Sequence, residues 1–380
     1  MADGSDASGT GGAGGVNVVM ERLDQSAVVS AGSFSSLVVA RRHSDNRLYC
    51  VKVFQRDMIP VPDPNEVETP LAFRVLRELR GIQTVSQVVH PFIVQYCFAY
   101  KTARFFLFGM QRDGVTDFLT RIAAHGTFDV ASTRVYAAEL CLALAHIHSF
   151  DLVHRDVKPE NVVICVDGHI KLADFGSSLK LTGRVGDEPP PPRFASLAGT
   201  PEYMPPEVVL RVPICESVDW WAFGCFICEM LIGRTPFFQD DGVGEIFARI
   251  TGNQSIATLI EHPLLPDTAS SLLQALLIRN PANRLGARPH GYQAVLGHEW
   301  FSGVNAHAAL RKELEPPWRP FPPSGPAQPP LQQGDFEVDL HAGGQTLADT
   351  YEWPAWPHTT EQSLLDSADW GDAVAFAEFD

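Results

Sequence analysis

The stretch LVHRDVKPENVVI, residues 152–164, places an acid, a base and an amide in one short run. Asp156 could accept the proton of a hydroxyl. Lys158 could neutralise charge on a transferring phosphoryl group, and Asn161 could hold a metal ion. Asp174 follows in D-F-G, a hard oxygen ligand suited to Mg2+. Phosphoryl transfer needs such parts: metal ions bridging phosphates, a residue that orients the nucleophile, and positive charge beside the phosphates. Upstream, VVSAGSFSSLVVA reads as strand, turn and strand, with a turn suited to cradling phosphate. The spacing G-x-G-x-x-G-x-V fits, but only Gly32 is present. Ser30 and Ser35 stand at the outer glycine positions and Leu37 replaces the valine.

These residues need elements to position them. From about Leu23 to Met110 the chain reads mostly as β, with runs such as RLYCVKVF and RFFLFGM, and HSDN supplies a hairpin turn. One helix interrupts this part, Leu71–Val85. From Thr116 to Phe301 the pattern is mainly helical, apart from a small β segment between LVHRD and IKLADFG. A β-rich first part and a helix-rich second part predict two lobes with a cleft between them. Residues 1–20 are expected to form a disordered lead. After Phe301 the chain turns proline-rich and acidic, and EPPWRPFPPSGPAQPP reads as an extended linker.

The bulk numbers narrow the function class. The 380 residues carry 29 Lys plus Arg against 45 Asp plus Glu, a net charge of -16. That balance argues against nucleic-acid binding, which depends on neutralising phosphates. No uninterrupted apolar run is expected to cross a membrane, and the N-terminus lacks the features of a secretory signal. The seven cysteines read as reduced thiols of a cytoplasmic protein. Cys225 and Cys228 form a C-x-x-C inside an apolar run of helical length, which reads as a buried helix rather than a redox or zinc pair.

HRDVKPEN, DFG, GTPEYMPPE, DWWAFG and NRLG together resemble a eukaryotic protein kinase over about Leu23 to Phe301. The resemblance implies an α+β bilobal kinase fold. The small β-rich N-lobe would span about 21–111 with one key helix, the helical C-lobe about 112–301, and a C-terminal tail 302–380. It implies ATP and Mg2+ as cofactors. Lys52, in VKVF, would grip the α and β phosphates, and a carboxylate on the intervening helix would pair with it. Glu78 is the choice, which requires an insertion in TVSQVV, because counting back without one lands on Gly81. Ser30, Gly32, Ser33, Phe34, Ser35 and Leu37 would line the phosphate loop. Met110 would be the gatekeeper, the backbones of Gln111 and Asp113 would meet adenine, and Asp117 could bind ribose. Asn161 and Asp174 would hold metal. Asp219 would brace the catalytic loop, and Arg284 would pair with Glu207, both buried.

Lys158 after Asp156 resembles the serine/threonine class. AGSFSSLVVAR, DFGSS, SLAGTPEY and RLGARPHGYQAVLGHEWF resemble the AGC group and, within it, the phosphoinositide-dependent kinases. By that likeness Ser196 is an activation-loop phosphosite that would pair with Arg155. The proline-rich, acidic tail does not resemble a lipid-binding pleckstrin-homology domain, so phosphoinositide binding is not expected. AFAEFD carries Phe376 and Phe379 as F-x-x-F, similar to the hydrophobic motif of AGC kinases, and would dock in cis on the N-lobe, while PPWRPFPP resembles a tail wrapping the small lobe. The expected partners are protein substrates, above all the activation loops of other AGC kinases. Two alternatives stay open: a downstream AGC-type kinase of basic-motif substrates, and a catalytically silent scaffold.

Overall fold

The computed structural model describes residues 28–31, 35–41, 47–55, 70–86, 89–101, 105–181, 200–239, 242–320 and 374–375. The chain divides into two compact units. Met1–Asp57, Cys97–Gln111 and Leu331–Asp380 form one; Met58–Tyr96 and Arg112–Pro330 form the other.

The first unit is built on a six-stranded sheet of β1 (Val28–Ala31), β2 (Ser35–Arg41), β3 (Leu48–Gln55), β4 (Tyr96–Lys101), β5 (Phe105–Gln111) and β11 (Val374–Ala375), in the order β1-β2-β3-β5-β4-β11. Side chains alternate between the two faces of a strand. Tyr49, Val51 and Val53 of β3 therefore enter one apolar cluster with Val38, Ala40, Phe98 and Leu107. Lys52 has the opposite parity and points away from that cluster. Gly109 on β5 leaves room for the Phe98 ring, which a side chain there would displace. The edge strand β11 pairs antiparallel with β4, Val374 opposite Ala99 and Ala375 opposite Phe98.

The second unit carries the helices: α1 (Pro70–Val85), α2 (Phe118–His125), α3 (Val130–Ser149), α4 (Pro206–Val209), α5 (Ser217–Ile232), α6 (Val243–Thr251), α7 (Ile256–Leu259), α8 (Asp267–Leu276), α9 (Gly291–Leu296) and α10 (Ala306–Leu310). It also holds two small sheets. β6 (Gly114–Asp117), β8 (Val162–Cys165) and β9 (Ile170–Leu172) form one, and β7 (Leu152–Val153) pairs with β10 (Leu179–Lys180). Helix α5 is apolar over most of its surface because most of it is buried, with Trp220, Trp221, Phe223, Phe226 and Met230 fully enclosed. Cys225 and Cys228 lie in it. Burial drives the Cys225 thiol far above its usual range and Cys228 up to about 12, so both stay protonated and inert.

Helix α1 falls in the second unit, where the sequence reading put it with the β-rich lobe, and three further features depart from that reading. Helix α3 is long and apolar enough to cross a membrane by length and composition, although no such run was expected; 61% of its most apolar window is buried in the folded chain, the mark of a core helix. Strand β6 lies at the start of the part read as mainly helical from Thr116, because Asp117, Thr116 and Gly114 pair with β8. The start of the proline-rich segment, read as an extended linker, packs in the helical unit. Trp318 packs in the helical unit, its carbonyl 3.4 Å from the Tyr136 hydroxyl and its ring 5.5 Å from the Arg121 guanidinium. Tryptophan offers enough apolar surface to anchor a proline segment that has no hydrogen-bonded structure of its own.

Candidate active site

The loop between β7 and β8 is held in shape by one buried acid. Asp219, near the start of α5 and fully enclosed, accepts the backbone N–H of His154 and of Arg155, each at 2.8 Å. His148 Nε2 donates to the same carboxylate at 2.8 Å. Burial alone would raise the Asp219 carboxyl, but the hydrogen bonds and charge of the two histidines outweigh it and hold the group below the usual value. Arg155 has a left-handed backbone, φ 66°, a conformation that costs a non-glycine residue energy and persists only where neighbours hold it. The two N–H bonds to Asp219 supply that hold. The Arg155 Nε donates in turn to the Ser177 carbonyl at 2.8 Å.

The braced loop presents Asp156. Asn161 Nδ2 donates to the Asp156 carbonyl at 2.8 Å and to its Oδ2 at 3.0 Å. Lys158 Nζ lies 3.3 Å from the same oxygen and donates to Thr200 Oγ1 at 2.8 Å. Oδ1 of Asp156 is buried with no hydrogen-bond partner among the described residues. A buried acceptor left open in this way suits a group that arrives with its own proton.

The next turn brings Asp174 to the same place. The Ala173 N–H donates to the Asn161 carbonyl at 2.8 Å, and His154 Nε2 donates to the Ala173 carbonyl at 3.0 Å. Asp174 sits at φ 59°, ψ 84°, and its carboxylate accepts the Gly176 N–H at 3.0 Å. Asn161 and Asp174 therefore offer amide and carboxylate oxygens from two tied loops, a donor set that fits a small hard cation. Among the described residues no cluster of three or more His, Cys, Asp and Glu could hold a metal alone.

Glu78 is fully buried on α1. Burial first, then the charges of Glu78 and Asp174, push the Tyr96 phenol far above its usual range. The Phe175 ring links the parts, 5.1 Å from His154 and 6.3 Å from Tyr96. Gly81, the rival position for the acid, has another use: it lies against Phe175 and Ser178.

The other expected site residues fall as follows. Ser30 pairs with Leu37 across β1 and β2, and Leu37 pairs with Lys52 across β2 and β3. The two flanks of the expected phosphate loop and its lysine thus share one sheet, with Ser35 opening β2. Lys52 is 9% exposed, its Nζ 5.3 Å from the Phe54 ring centre. Met110 is buried on β5, opposite Cys50, and the boundary between the units falls between Gln111 and Arg112. The Asp113 carbonyl accepts the Val166 N–H at 3.2 Å, and its carboxylate pairs with Lys171. Both carboxylate oxygens of Asp117 are engaged by Thr120 in capping α2, at 2.7 and 2.9 Å, so a ribose contact there would share them with the cap. Gly32, Ser33, Phe34, Ser196, Phe376 and Phe379 lie outside the described residues. Arg284 grips Glu207 through two bonds, 2.6 and 2.9 Å, with both charges buried. Thr200, the acceptor of the Lys158 ammonium, was not among the residues expected at the site, although it stands in the GTPEY run.

Glu160 of the braced loop and Glu202 act through their charges on Glu229 of α5. Burial, then the charges of Glu160 and Glu202, push the Glu229 carboxyl up to about 7. Glu202 accepts the Thr235 hydroxyl at 2.7 Å.

Comparison with known proteins gives this geometry a setting. The family described as protein kinase domain matches residues 23–301. The chain is 35% identical over 303 residues to serine/threonine-protein kinase akt-2 of Caenorhabditis elegans, which covers 80% of this chain and 53% of that protein. It is 35% identical over 299 residues to human ribosomal protein S6 kinase alpha-3, covering 77% of this chain and 37% of that one. It is 33% identical over 296 residues to protein kinase C-like 2 of Schizosaccharomyces pombe, covering 77% and 27%. The chain thus spans about half, or less, of the length of these relatives.

Proposed function

The chain belongs to the protein kinase family, and from that premise we propose that it is a serine/threonine protein kinase of the AGC group, transferring the γ-phosphoryl of ATP to protein hydroxyls. The observation that carries this reading is the arrangement at Asp156. One carboxylate oxygen is tied by Asn161 and Lys158 while the other is buried and open. An incoming Ser or Thr hydroxyl donates to that open oxygen, which fixes its lone pair toward phosphorus. The new P–O bond forms as the bond to the β-phosphate oxygen breaks, the hydroxyl proton passes to Asp156, and ADP leaves. Lys158 neutralises charge on the phosphoryl group in flight, and Lys52 serves the α and β phosphates. Asn161 and Asp174 would hold Mg2+, which would supply charge stabilisation on the phosphate oxygens. A phosphate on Ser196 pairs with Arg155 and steadies the loop that carries Asp156. The seven free thiols support a reducing, cytoplasmic setting.

Within the AGC group, the loop and activation-segment signatures support a role like that of the phosphoinositide-dependent kinases, acting on activation loops of other AGC kinases. The trio Glu160, Glu202 and Glu229 favours the second reading, a kinase of basic-motif substrates, since an arginine arriving there would lower the cost of ionising Glu229. The pairing of β11 with β4 supports cis docking of the tail, because it brings the residues just before Phe376 and Phe379 onto the β-rich sheet. An array comparing activation-loop peptides with basic-motif peptides separates the two substrate classes. Truncation after Ala375, read by turnover and by binding of a hydrophobic-motif peptide, tests the docking; unchanged values in both would refute it.

A further inference from the structure

Glycine inside a helix costs roughly 0.5–1 kcal/mol relative to alanine. Gly81 lies well inside α1, one turn beyond Glu78 on the same side. A Cβ there would stand 2.6 Å from Ser178 Oγ and 2.7 Å from Phe175 Cβ, closer than real Cβ atoms approach. The bare helix backbone therefore rests directly on the turn that follows Asp174. Ser178, buried at 2% exposure, occupies the vacated space. Its hydroxyl donates to the Phe175 carbonyl at 2.7 Å and reaches the Arg77 carbonyl of α1 at 3.4 Å. Arg77 is one helical turn before Gly81. The missing side chain on one element and the small hydroxyl on the other fit as a lock.

We propose that Gly81 and Ser178 are matched positioning residues that set how closely the helix bearing Glu78 approaches the turn bearing Asp174. This rests on the phosphoryl-transfer reading, because spacing of those two carboxylates matters only where both serve one nucleotide. Any side chain at position 81 pushes the helix off the turn. Loss of the Ser178 hydroxyl leaves the two elements in contact but unpinned.

The test uses the full chain and four proteins: wild type, Gly81→Ala, Ser178→Ala and the double variant. Alanine is the better helix former, so a purely local effect would make Gly81→Ala more stable and leave turnover alone. We expect a fall in kcat of roughly tenfold or more for Gly81→Ala and of about threefold for Ser178→Ala, with peptide KM little changed, from loss of close packing and of one hydrogen bond. Because both residues share one space, the double variant should lose less than the product of the two. Hydrogen exchange should rise in both single variants over residues 75–85 and 173–179 and stay unchanged in α5. Strictly multiplicative losses, or unchanged turnover and exchange, would overturn the pairing. Wild-type activity no greater than that of Asp156→Asn would instead sink the kinase reading, and the exchange data would still report on the pair.

Discussion

One amide nitrogen of Asn161 donates to both the backbone carbonyl and the carboxylate of Asp156, at 2.8 and 3.0 Å. The bond fixes which carboxylate oxygen is occupied and which stays open. The same side chain supplies the oxygen proposed to hold Mg2+. Asn161→Ala should therefore lower kcat by roughly 10²–10³, with peptide KM nearly unchanged, as expected when a positioned donor is removed. It should also raise the Mg2+ concentration needed for half-maximal rate. Steady-state kinetics across a Mg2+ titration checks both.

The Arg284–Glu207 pair predicts a stability effect apart from the chemistry. Both charges are enclosed, and Arg284 also donates to the Ser217 carbonyl at 2.7 Å. Arg284→Ala leaves a buried carboxylate without its cation, which costs about 3–5 kcal/mol. Denaturant unfolding should show the midpoint falling accordingly, and Glu207→Ala should lose a similar amount.

His90 predicts a pH dependence. It stacks on His146 with ring centres 4.6 Å apart, and its Nδ1 accepts the Phe92 N–H at 3.3 Å. Burial, then the charge of His146, lowers its pKa to about 3 from 6.5. The fold thus favours the neutral ring. Its contribution is complete above pH 6.5 and is lost as pH falls from 6.5 toward 3. Unfolding free energy should drop by up to about 2 kcal/mol between pH 6.5 and 5 from this group, and His90→Phe should flatten that slope.

Glu229 has the opposite sign. Its carboxyl is raised to about 7, so its favourable contribution to folding is present below pH 4.5 and is lost as pH rises through 7. If basic peptides bind beside it, they need its ionised form. KM for an arginine-containing peptide should then fall as pH rises from about 6 to 8, because the carboxylate fraction grows across its pKa. Glu229→Gln should raise KM and remove the trend, and a peptide without arginine should show neither effect.

The grouping of the candidate site was legible because its parts are local. HRDVKPEN places Asp156, Lys158 and Asn161 on one loop, and DFG places Asp174 on the next turn, so spacing along the chain nearly equals arrangement in space. The Arg284–Glu207 pair and the Asp219 brace join residues far apart in sequence and were reached only through the family likeness. Gly81 was invisible as anything but a residue unable to pair, since its role depends on what packs against its missing side chain. Trp318 was submerged in a proline-rich stretch whose composition says extended chain and cannot say what it lies on. The assignment of α1 to the helical unit was equally hidden, because its buried face meets the turn after Asp174, a contact that no local pattern encodes.

Asp156 is proposed to accept the hydroxyl proton during phosphoryl transfer. Purified protein incubated with radiolabelled ATP, Mg2+ and a serine-containing peptide measures it directly, with Asp156→Asn alongside. Transfer to the serine by the wild-type chain is expected, with a fall of about 10²–10⁴ in the variant, the range for loss of a general base. Both chains should melt at similar temperatures. Equal label from the two proteins, or none from the wild type when the protein is folded and binds nucleotide, would contradict it.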